Sequence, residues 1–319
     1  METGVFTPNV TVQDLLDASL HFGHQTRRWN PKMKKYIFGA RNGIYIIDLE
    51  KTHEALTTAL NFVYQTILRN RNVLFVGTKK QAQEPIVMLA DRTKQPYVVN
   101  RWLGGTLTNN VTIRKSVARM REIEALEKDG SFDRLPKKEV AQLKNELEKL
   151  QFNLSGVADM TELPGALFVI DTQREAIAVA EARRLNIPVV AVVDTNSDPE
   201  QVDYPIPAND DAIRSIDLIC KLAAEAIEQA LSEYSRVAAE DARRRASEEA
   251  AAQARARAAE AAAKSAATAD GAAKPEAKKP ARRRAAKAVE GAEAAAPAEA
   301  TEPAATEEVA TGDDASRAE

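Results

Sequence analysis

The sequence predicts an α/β fold with a parallel sheet, and three observations support this. From Val73 onward, short apolar runs alternate with polar stretches of helix length. The runs are nearly continuous in Val, Ile, Leu and Phe, which is typical of strands covered on both faces. The spacing between them leaves room for the crossover helices that right-handed βαβ units require.

The elements of this sheet domain follow in order along the chain. Strands are predicted at residues 73–78, 97–99, 166–171 and 189–194. Helices are predicted at 80–92 and 175–185, the second ending at Asn186-Ile187-Pro188. A final helix is predicted to start near Asp210-Asp211, because carboxylates favour a helix N-terminus.

A β-hairpin is predicted before the sheet. Two strand-like runs, KYIFGA and IYIIDL, flank Asn42-Gly43, a dipeptide that tolerates the positive φ of a tight turn. A helix from Thr52 to about Leu68 follows it.

The interval between the second and third sheet strands is too long for one crossover. Apolar residues recur at spacings of three and four on both sides of the segment DGSFDRLP. On one side they are Ile113, Val117, Met120, Ile123 and Leu126, and on the other Val140, Leu143, Leu147 and Leu150. This predicts an inserted antiparallel helical hairpin.

The C-terminal part is predicted to contribute little to the core. No aromatic residue follows Tyr234, and the Ala-rich sequence favours a helix to about residue 264. Four later prolines predict a disordered tail. The predicted domains are thus residues 1–108 with 153–230 for the α/β unit, 109–152 for the hairpin and 231–319 for the extension.

The overall charge argues against a uniformly basic nucleic-acid binder. The chain has 44 Lys and Arg against 47 Asp and Glu, with a net charge of −3. We expect a cytoplasmic protein, because no apolar run reaches the ~18 residues that cross a bilayer. The single cysteine, Cys220, lies in an apolar run and is predicted to be buried.

One local segment is strongly cationic. Six of the fifteen residues from Arg27 to Arg41 are Lys or Arg, and none is acidic. They are Arg27, Arg28, Lys32, Lys34, Lys35 and Arg41, and Trp29, Tyr36 and Phe38 are interleaved with them. Cations neutralise phosphates and flat rings stack on bases, so the segment predicts an RNA surface. The alternative is a half-buried strand with core aromatics and snorkelling lysines.

A second candidate site lies at residues 100–119. Gly104 and Gly105 permit close backbone approach, and Thr106, Thr108 and Asn109 offer donors at a helix start. Arg101, Arg114 and Lys115 add positive charge, so a phosphate would fit there. Two alternatives compete with this interpretation: a nucleotide-dependent α/β enzyme and a plain tight turn. The enzyme hypothesis is weakened because no phosphate-loop motif follows any of the predicted strands.

Two further features leave their function open. His21 and His24 could join Asp194 or Asp198 in a metal site, although core histidines and an Asx turn are the favoured interpretation. In the tail, a basic block could bind phosphates or simply keep the chain soluble. Its members are Lys274, Lys278, Lys279, Arg282, Arg283, Arg284 and Lys287.

Five sequence blocks, in order, carry a resemblance to a known family. They are HFGHQTRRWNPKM with its flanks, LFVGTKKQA, RWLGGTLTN, PGALFVID through VVDTNSDP, and NDDAIRSIDLI. Together they cover about residues 10–230 and resemble the bacterial ribosomal protein S2 family. The resemblance implies a flavodoxin-like sheet bearing a helical hairpin, on the solvent side of the small ribosomal subunit, without enzymatic activity or a cofactor.

The resemblance also implies partners and contact residues. Small-subunit ribosomal RNA would be contacted by Arg27, Arg28, Trp29, Lys32, Lys34, Lys35 and Arg41, and by Arg101, Trp102, Thr108, Asn109, Arg114 and Lys115. Other small-subunit proteins would be neighbours, and the chain would help to dock ribosomal protein S1. The long Ala-rich extension departs from the compact family pattern, so no role is carried over to it.

Overall fold

A computed structural model describes residues 4–269 of the 319-residue chain. The strands are β1 Phe22–Gln25, β2 Ile37–Arg41, β3 Ile44–Ile47, β4 Val73–Val76, β5 Tyr97–Val98, β6 Ala166–Ile170, β7 Val189–Val193 and β8 Tyr204–Pro207. The α-helices are α1 Val12–Asp17, α2 Leu49–Leu68, α3 Lys80–Thr93, α4 Asn110–Lys128, α5 Lys137–Leu154, α6 Ala176–Arg184 and α7 Ile213–Ala269.

The main sheet has five parallel strands in the order β5-β4-β6-β7-β8. Counted within the sheet this is 2-1-3-4-5, the flavodoxin-like order, so the predicted fold class is confirmed. Every residue of β4, β6 and β7 is buried, which explains their continuous apolar runs. The prediction missed β8 because its sequence is YPIP. Two prolines are tolerated there since β8 is an edge strand.

The predicted hairpin is β2 and β3, and its turn residues Asn42 and Gly43 have φ of 53° and 75°. Positive φ at both turn positions suits the right-handed twist of the strands. The structure adds a third strand that the sequence did not reveal: β1 pairs with β3, which gives an antiparallel sheet in the order β1-β3-β2.

Two hydrophobic clusters cover the two faces of the parallel sheet. Side chains alternate between faces, so Phe75 and Phe168 lie in one cluster and Leu74 and Leu167 in the other. Helices α2, α3 and α7 contribute to the first cluster through Leu60, Ile86 and Ile219, and α4, α5 and α6 to the second through Met120, Leu147 and Val179. Each such buried side chain stabilises the fold by about 1.5–3 kcal/mol. Cys220 lies in the first cluster, as predicted.

Helices α4 and α5 form the predicted helical hairpin. Val117, Met120 and Ile123 of α4 are buried with Leu147 of α5. At the hairpin's surface, Arg119 Nε lies 3.2 Å from Glu146 Oε1. Exposed pairs of this kind contribute little, so the apolar seam is what holds the helices together.

Helix α7 begins differently from the prediction. Its first residue is Ile213, and the Asn209 side chain accepts hydrogen bonds from the backbone nitrogens of Asp211 and Ala212. Asp210 instead contacts Lys79. The helix reaches Ala269, in keeping with the expected Ala-rich helix.

The chain divides into two units, residues 1–253 and 254–319, and in the second the structure describes only helix, up to Ala269. The predicted disordered tail and its basic block lie outside the described residues. The domain limits stated above stay a prediction. Among residues 4–269, no helix has both the length and the apolar character needed to cross a bilayer.

Candidate nucleic-acid interface

The cationic segment 27–41 forms two short 3-10 turns, Thr26–Arg28 and Pro31–Tyr36, followed by β2. Pro31 starts the second turn, and the Asn30 side chain accepts a hydrogen bond from the Lys32 nitrogen. Met33 is fully buried and fixes the turn to the second hydrophobic cluster. All six cations of the segment are exposed at the surface.

One of these six cations is paired. Lys32 Nζ lies 2.8 Å from Asp198 Oδ2 and 2.6 Å from Glu200 Oε2, and these two carboxylates raise the pKa of Lys32. Although the segment itself contains no acidic residue, folding brings these carboxylates to Lys32 from the loop after β7. The other five cations have no ion pair within residues 4–269.

The three aromatic side chains of the segment differ in their exposure. Trp29 is half-buried with its ring centroid 5.1 Å from that of Tyr45, and Tyr36 packs against the second cluster. Phe38 is 81% exposed. The core interpretation therefore fits Tyr36, while Phe38 is the ring best placed to stack on a base. The RNA contacts implied by the family resemblance include Trp29 but not Phe38, because the sequence alone does not show which of the two rings is exposed.

The loop 102–108, which precedes α4, encloses a carboxylate of the protein itself. Glu181 on α6 is only 8% exposed. Its Oε1 accepts hydrogen bonds from Trp102 Nε1 at 3.1 Å and from the Gly105 nitrogen at 2.7 Å. Its Oε2 accepts from the Leu107 nitrogen at 3.0 Å, and from the nitrogen and Oγ1 of Thr108, each at 3.1 Å. The donors of this loop therefore bind an internal anion, the carboxylate of Glu181.

The electrostatics of Glu181 follow from these contacts. Burial alone would raise its pKa, but the hydrogen bonds from Thr108, Gly105, Trp102 and Leu107 together hold the pKa below its ordinary value. The group is therefore a stable internal anion.

Two of the residues expected to contact RNA at the second candidate site, Trp102 and Thr108, bind Glu181 instead. Trp102 is buried and Thr108 donates both its groups to Glu181. The phosphate expected at this loop would have to displace a carboxylate that is already bonded five times. Arg101, Arg114 and Lys115 remain exposed, as does Asn109.

A nucleotide would be expected at the carboxyl ends of the first and third strands of the parallel sheet, β4 and β6, because flavodoxin-like sheets bind their ligands there. Thr78 after β4 donates to Glu175 after β6 from its nitrogen at 2.8 Å and its Oγ1 at 2.6 Å. Arg174 Nε donates to Thr78 Oγ1 at 2.9 Å. The protein's own side chains thus fill this position.

Of the residues that the sequence suggested for a metal site, the structure brings together His24 and Asp194 but neither His21 nor Asp198. His24 Nδ1 lies 3.0 Å from Asp194 Oδ2. The His21 ring packs instead on Phe22, and Asp198 pairs with Lys32. Asp210, which the sequence did not suggest as a ligand, joins His24 and Asp194 in the structure.

Comparison with known proteins gives consistent matches. The family model described as Ribosomal protein S2 matches residues 15–230. A curated relative, the small ribosomal subunit protein uS2 of Treponema pallidum, is 56% identical over 225 residues, covering 70% of this chain and 77% of the relative. The protein of the same name from Syntrophobacter fumaroxidans is 58% identical over 217 residues, covering 68% and 79%. That from Mycobacteroides abscessus is 54% identical over 232 residues, covering 73% and 84%.

Proposed function

The chain belongs to the ribosomal protein S2 family, and we propose that it is a non-catalytic component of the small ribosomal subunit that binds small-subunit ribosomal RNA. As such it works in translation in the cytoplasm. Other small-subunit proteins are its expected neighbours.

One observation supports RNA binding most strongly. Five exposed cations without an ion pair among the described residues, Arg27, Arg28, Lys34, Lys35 and Arg41, lie on one short segment beside the exposed ring of Phe38. Unpaired surface cations neutralise phosphates at no cost of broken ion pairs, and a free ring stacks on an unpaired base. Arg101, Arg114 and Lys115 offer a second set of phosphate contacts.

A non-catalytic role is supported by how the strand ends are used. Glu181 binds the donors of the glycine-containing loop, and Glu175 with Thr78 fills the position where related sheets hold a ligand. Buried donors that already have an internal acceptor serve to fix the loop. A fixed loop positions surface cations for recognition by shape and phosphate contact.

Charge reversal tests the proposal. The variant Arg27→Glu, Arg28→Glu, Lys34→Glu and Lys35→Glu should fold, because all four side chains are exposed, but should no longer sediment with small subunits. The control reverses four exposed arginines of α7 outside the family match, Arg236, Arg243, Arg245 and Arg255, with the same change in net charge. It should be incorporated normally. Normal incorporation of the first variant would overturn the proposal.

We also infer, from the family resemblance, that the chain helps to dock ribosomal protein S1. Small subunits assembled with this chain should then retain more S1 than subunits assembled without it. Quantitative immunoblotting of S1 on purified subunits measures this. Equal amounts of S1 on both would contradict the docking role and leave the RNA-binding role intact.

A further inference from the structure

A cleft lies at the base of the helical hairpin, between α4 and the segment 157–161 that follows α5. Its volume is about 370 Å³, which falls in the ~300–1,000 Å³ range of pockets that hold small ligands. Ile113 and Arg114 line it on the α4 side, and Met160 and Thr161 line it on the other. We call it the α4 cleft. None of its lining residues belongs to the cationic segment or to the loop that binds the internal carboxylate, so it is separate from both.

The buried side of the α4 cleft is apolar. Val117 and Val157 belong to the second hydrophobic cluster, and Met160 is also buried. Ile113 is partly buried and packs against the same cluster. These aliphatic side chains form a surface on which a flat ring can lie, because bases extruded from a stack are commonly held against apolar side chains.

The cleft is preformed because contacts within the protein tie α4 to the opposite wall. Arg121 Nη2 donates to the carbonyl oxygen of Ala158 at 2.9 Å and to Asp159 Oδ1 at 2.8 Å. The Met160 nitrogen donates to the carbonyl oxygen of Val157 at 3.2 Å, which fixes the turn that carries this wall. A ligand that enters a preformed cleft has little protein to order, so it loses less binding free energy.

One cation of the cleft is unpaired among residues 4–269. Of the three charged lining residues, Arg121 and Asp159 neutralise each other. The third, Arg114, is exposed and takes part in none of the ion pairs of α4 within this range. Lys115, the next residue along α4, is also exposed. The charge of the cleft therefore favours an anionic ligand.

Two polar side chains can bond to the edge of a ring in the cleft. Asn110 Nδ2 donates to the carbonyl oxygen of Thr106 at 3.3 Å, which leaves Asn110 Oδ1 as an acceptor. Thr161 adds an exposed hydroxyl, which can donate or accept. Nucleic-acid bases carry donors and acceptors on their edges, whereas an aliphatic side chain of a protein carries neither.

We propose that the α4 cleft holds one unpaired nucleotide of small-subunit ribosomal RNA, with its base against Ile113 and Met160 and its phosphate on Arg114. This inference rests on the RNA binding proposed above, and it assigns a site for a single base where the exposed cations contact only phosphates. RNA supplies the flat ring, the polar edge and the phosphate together. An apolar side chain of a neighbouring protein would fill the cleft but would leave Arg114 and Asn110 Oδ1 without partners.

Filling the cleft tests the proposal. Ala118 lines the cleft but is exposed, so the indole of Ala118→Trp should occupy it without disturbing the fold. The control is Ala125→Trp, which is exposed on the same face of α4, two turns further on, and outside the cleft. Unpaired bases are mapped with dimethyl sulfate and a carbodiimide in small subunits that contain each chain. One nucleotide should be protected by the wild type and the control, and should be at least ~5-fold more reactive with Ala118→Trp.

A second variant keeps the test decisive if Ala118→Trp does not enter small subunits. Arg114→Ala removes the phosphate contact but leaves the cleft open, and its exposed position makes the change harmless to the fold. It should expose the same nucleotide by a smaller factor. A photoreactive amino acid at Thr161, on the exposed rim, should give a light-dependent crosslink to that nucleotide.

Two results would overturn the cleft proposal. The first is unchanged reactivity of every base in subunits that contain Ala118→Trp or, if that chain is not incorporated, Arg114→Ala. The second is the absence of an RNA crosslink from position 161, including the case of crosslinks to protein alone. Either result leaves RNA binding through the cationic segment intact, because the charge-reversal variant tests that binding separately.

Discussion

Replacing Glu181 with Ala should destabilise the protein more than replacing an exposed glutamate. The wild-type carboxylate accepts five hydrogen bonds, three of them from the backbone nitrogens of Gly105, Leu107 and Thr108. Leaving one buried donor unsatisfied costs about 1–3 kcal/mol. Glu181→Ala leaves four buried or partly buried N–H donors without their acceptor. The sum of four such costs overestimates the loss, because water can enter the site and the loop can relax. We therefore expect a loss of about 3–5 kcal/mol in the free energy of unfolding.

The variant Glu181→Gln removes the negative charge of the side chain but keeps its shape. Its amide oxygen can still accept from Trp102 Nε1 and the Gly105 nitrogen, but its amide nitrogen would then face the donors of Leu107 and Thr108. We expect a loss of about 2–3 kcal/mol. Urea unfolding followed by tryptophan fluorescence suits the measurement, because Trp102 is one of only two tryptophans and bonds to Glu181 directly.

The pH dependence has a definite sign. The folded-state pKa of Glu181 is lowered, so its contribution is complete above its unfolded value, near 4.5, and is lost as the pH falls through the folded value. The stability difference between wild type and Glu181→Gln should therefore shrink on acidification below pH 4.5. Glu225→Ala, at an exposed position of α7, should change stability by less than ~0.5 kcal/mol. A loss below ~1 kcal/mol for Glu181→Ala would refute the reasoning.

The remaining predictions concern single sites. Phe38→Ala should leave stability unchanged within ~0.5 kcal/mol, yet weaken binding to small-subunit RNA by ~1–3 kcal/mol in filter binding, and unchanged affinity would exclude stacking. The Cys220 thiol, whose pKa is raised to about 12 by burial, should react with a thiol reagent only after unfolding, and rapid native labelling would contradict its burial. Gly156→Ala places a Cβ against the carbonyl oxygen of Tyr97 and should cost ~1–3 kcal/mol in urea unfolding, whereas Gly104→Ala meets no atom within 4 Å and should be nearly neutral. Equal effects of the two glycine changes would contradict the close approach of Gly156 to Tyr97.

The sheet and the helical hairpin were predictable because the burial of their residues produces a recognisable pattern within each short stretch of sequence. Strands β6 and β7 are apolar at every position, and the seam of α4 and α5 repeats at helical spacing. β8 left no such mark because its two prolines resemble a loop. β1 was missed since FGHQ is only four residues long and only partly buried.

The site was predictable only to the level of segments. The cluster of cations at 27–41 is local, so the sequence identifies it. The pairing of Lys32 with Asp198 spans 166 residues, and the bond from Trp102 to Glu181 spans 79. Contacts over such separations depend on the order of the strands, which periodicity does not encode. The same reason hid Asp210 from the metal set proposed on spacing.

Crosslinking from within the assembled subunit tests the central claim most directly. A photoreactive amino acid placed at Lys34 or Phe38 points outward from the cationic segment, so the fold should tolerate it. Small subunits that contain either substituted chain are isolated and irradiated, and the crosslinked nucleotides are mapped. Unirradiated subunits are the control. Binding through this segment predicts light-dependent crosslinks to small-subunit ribosomal RNA at both positions. Crosslinks to protein alone, from subunits that contain the chain in normal amounts, would contradict it.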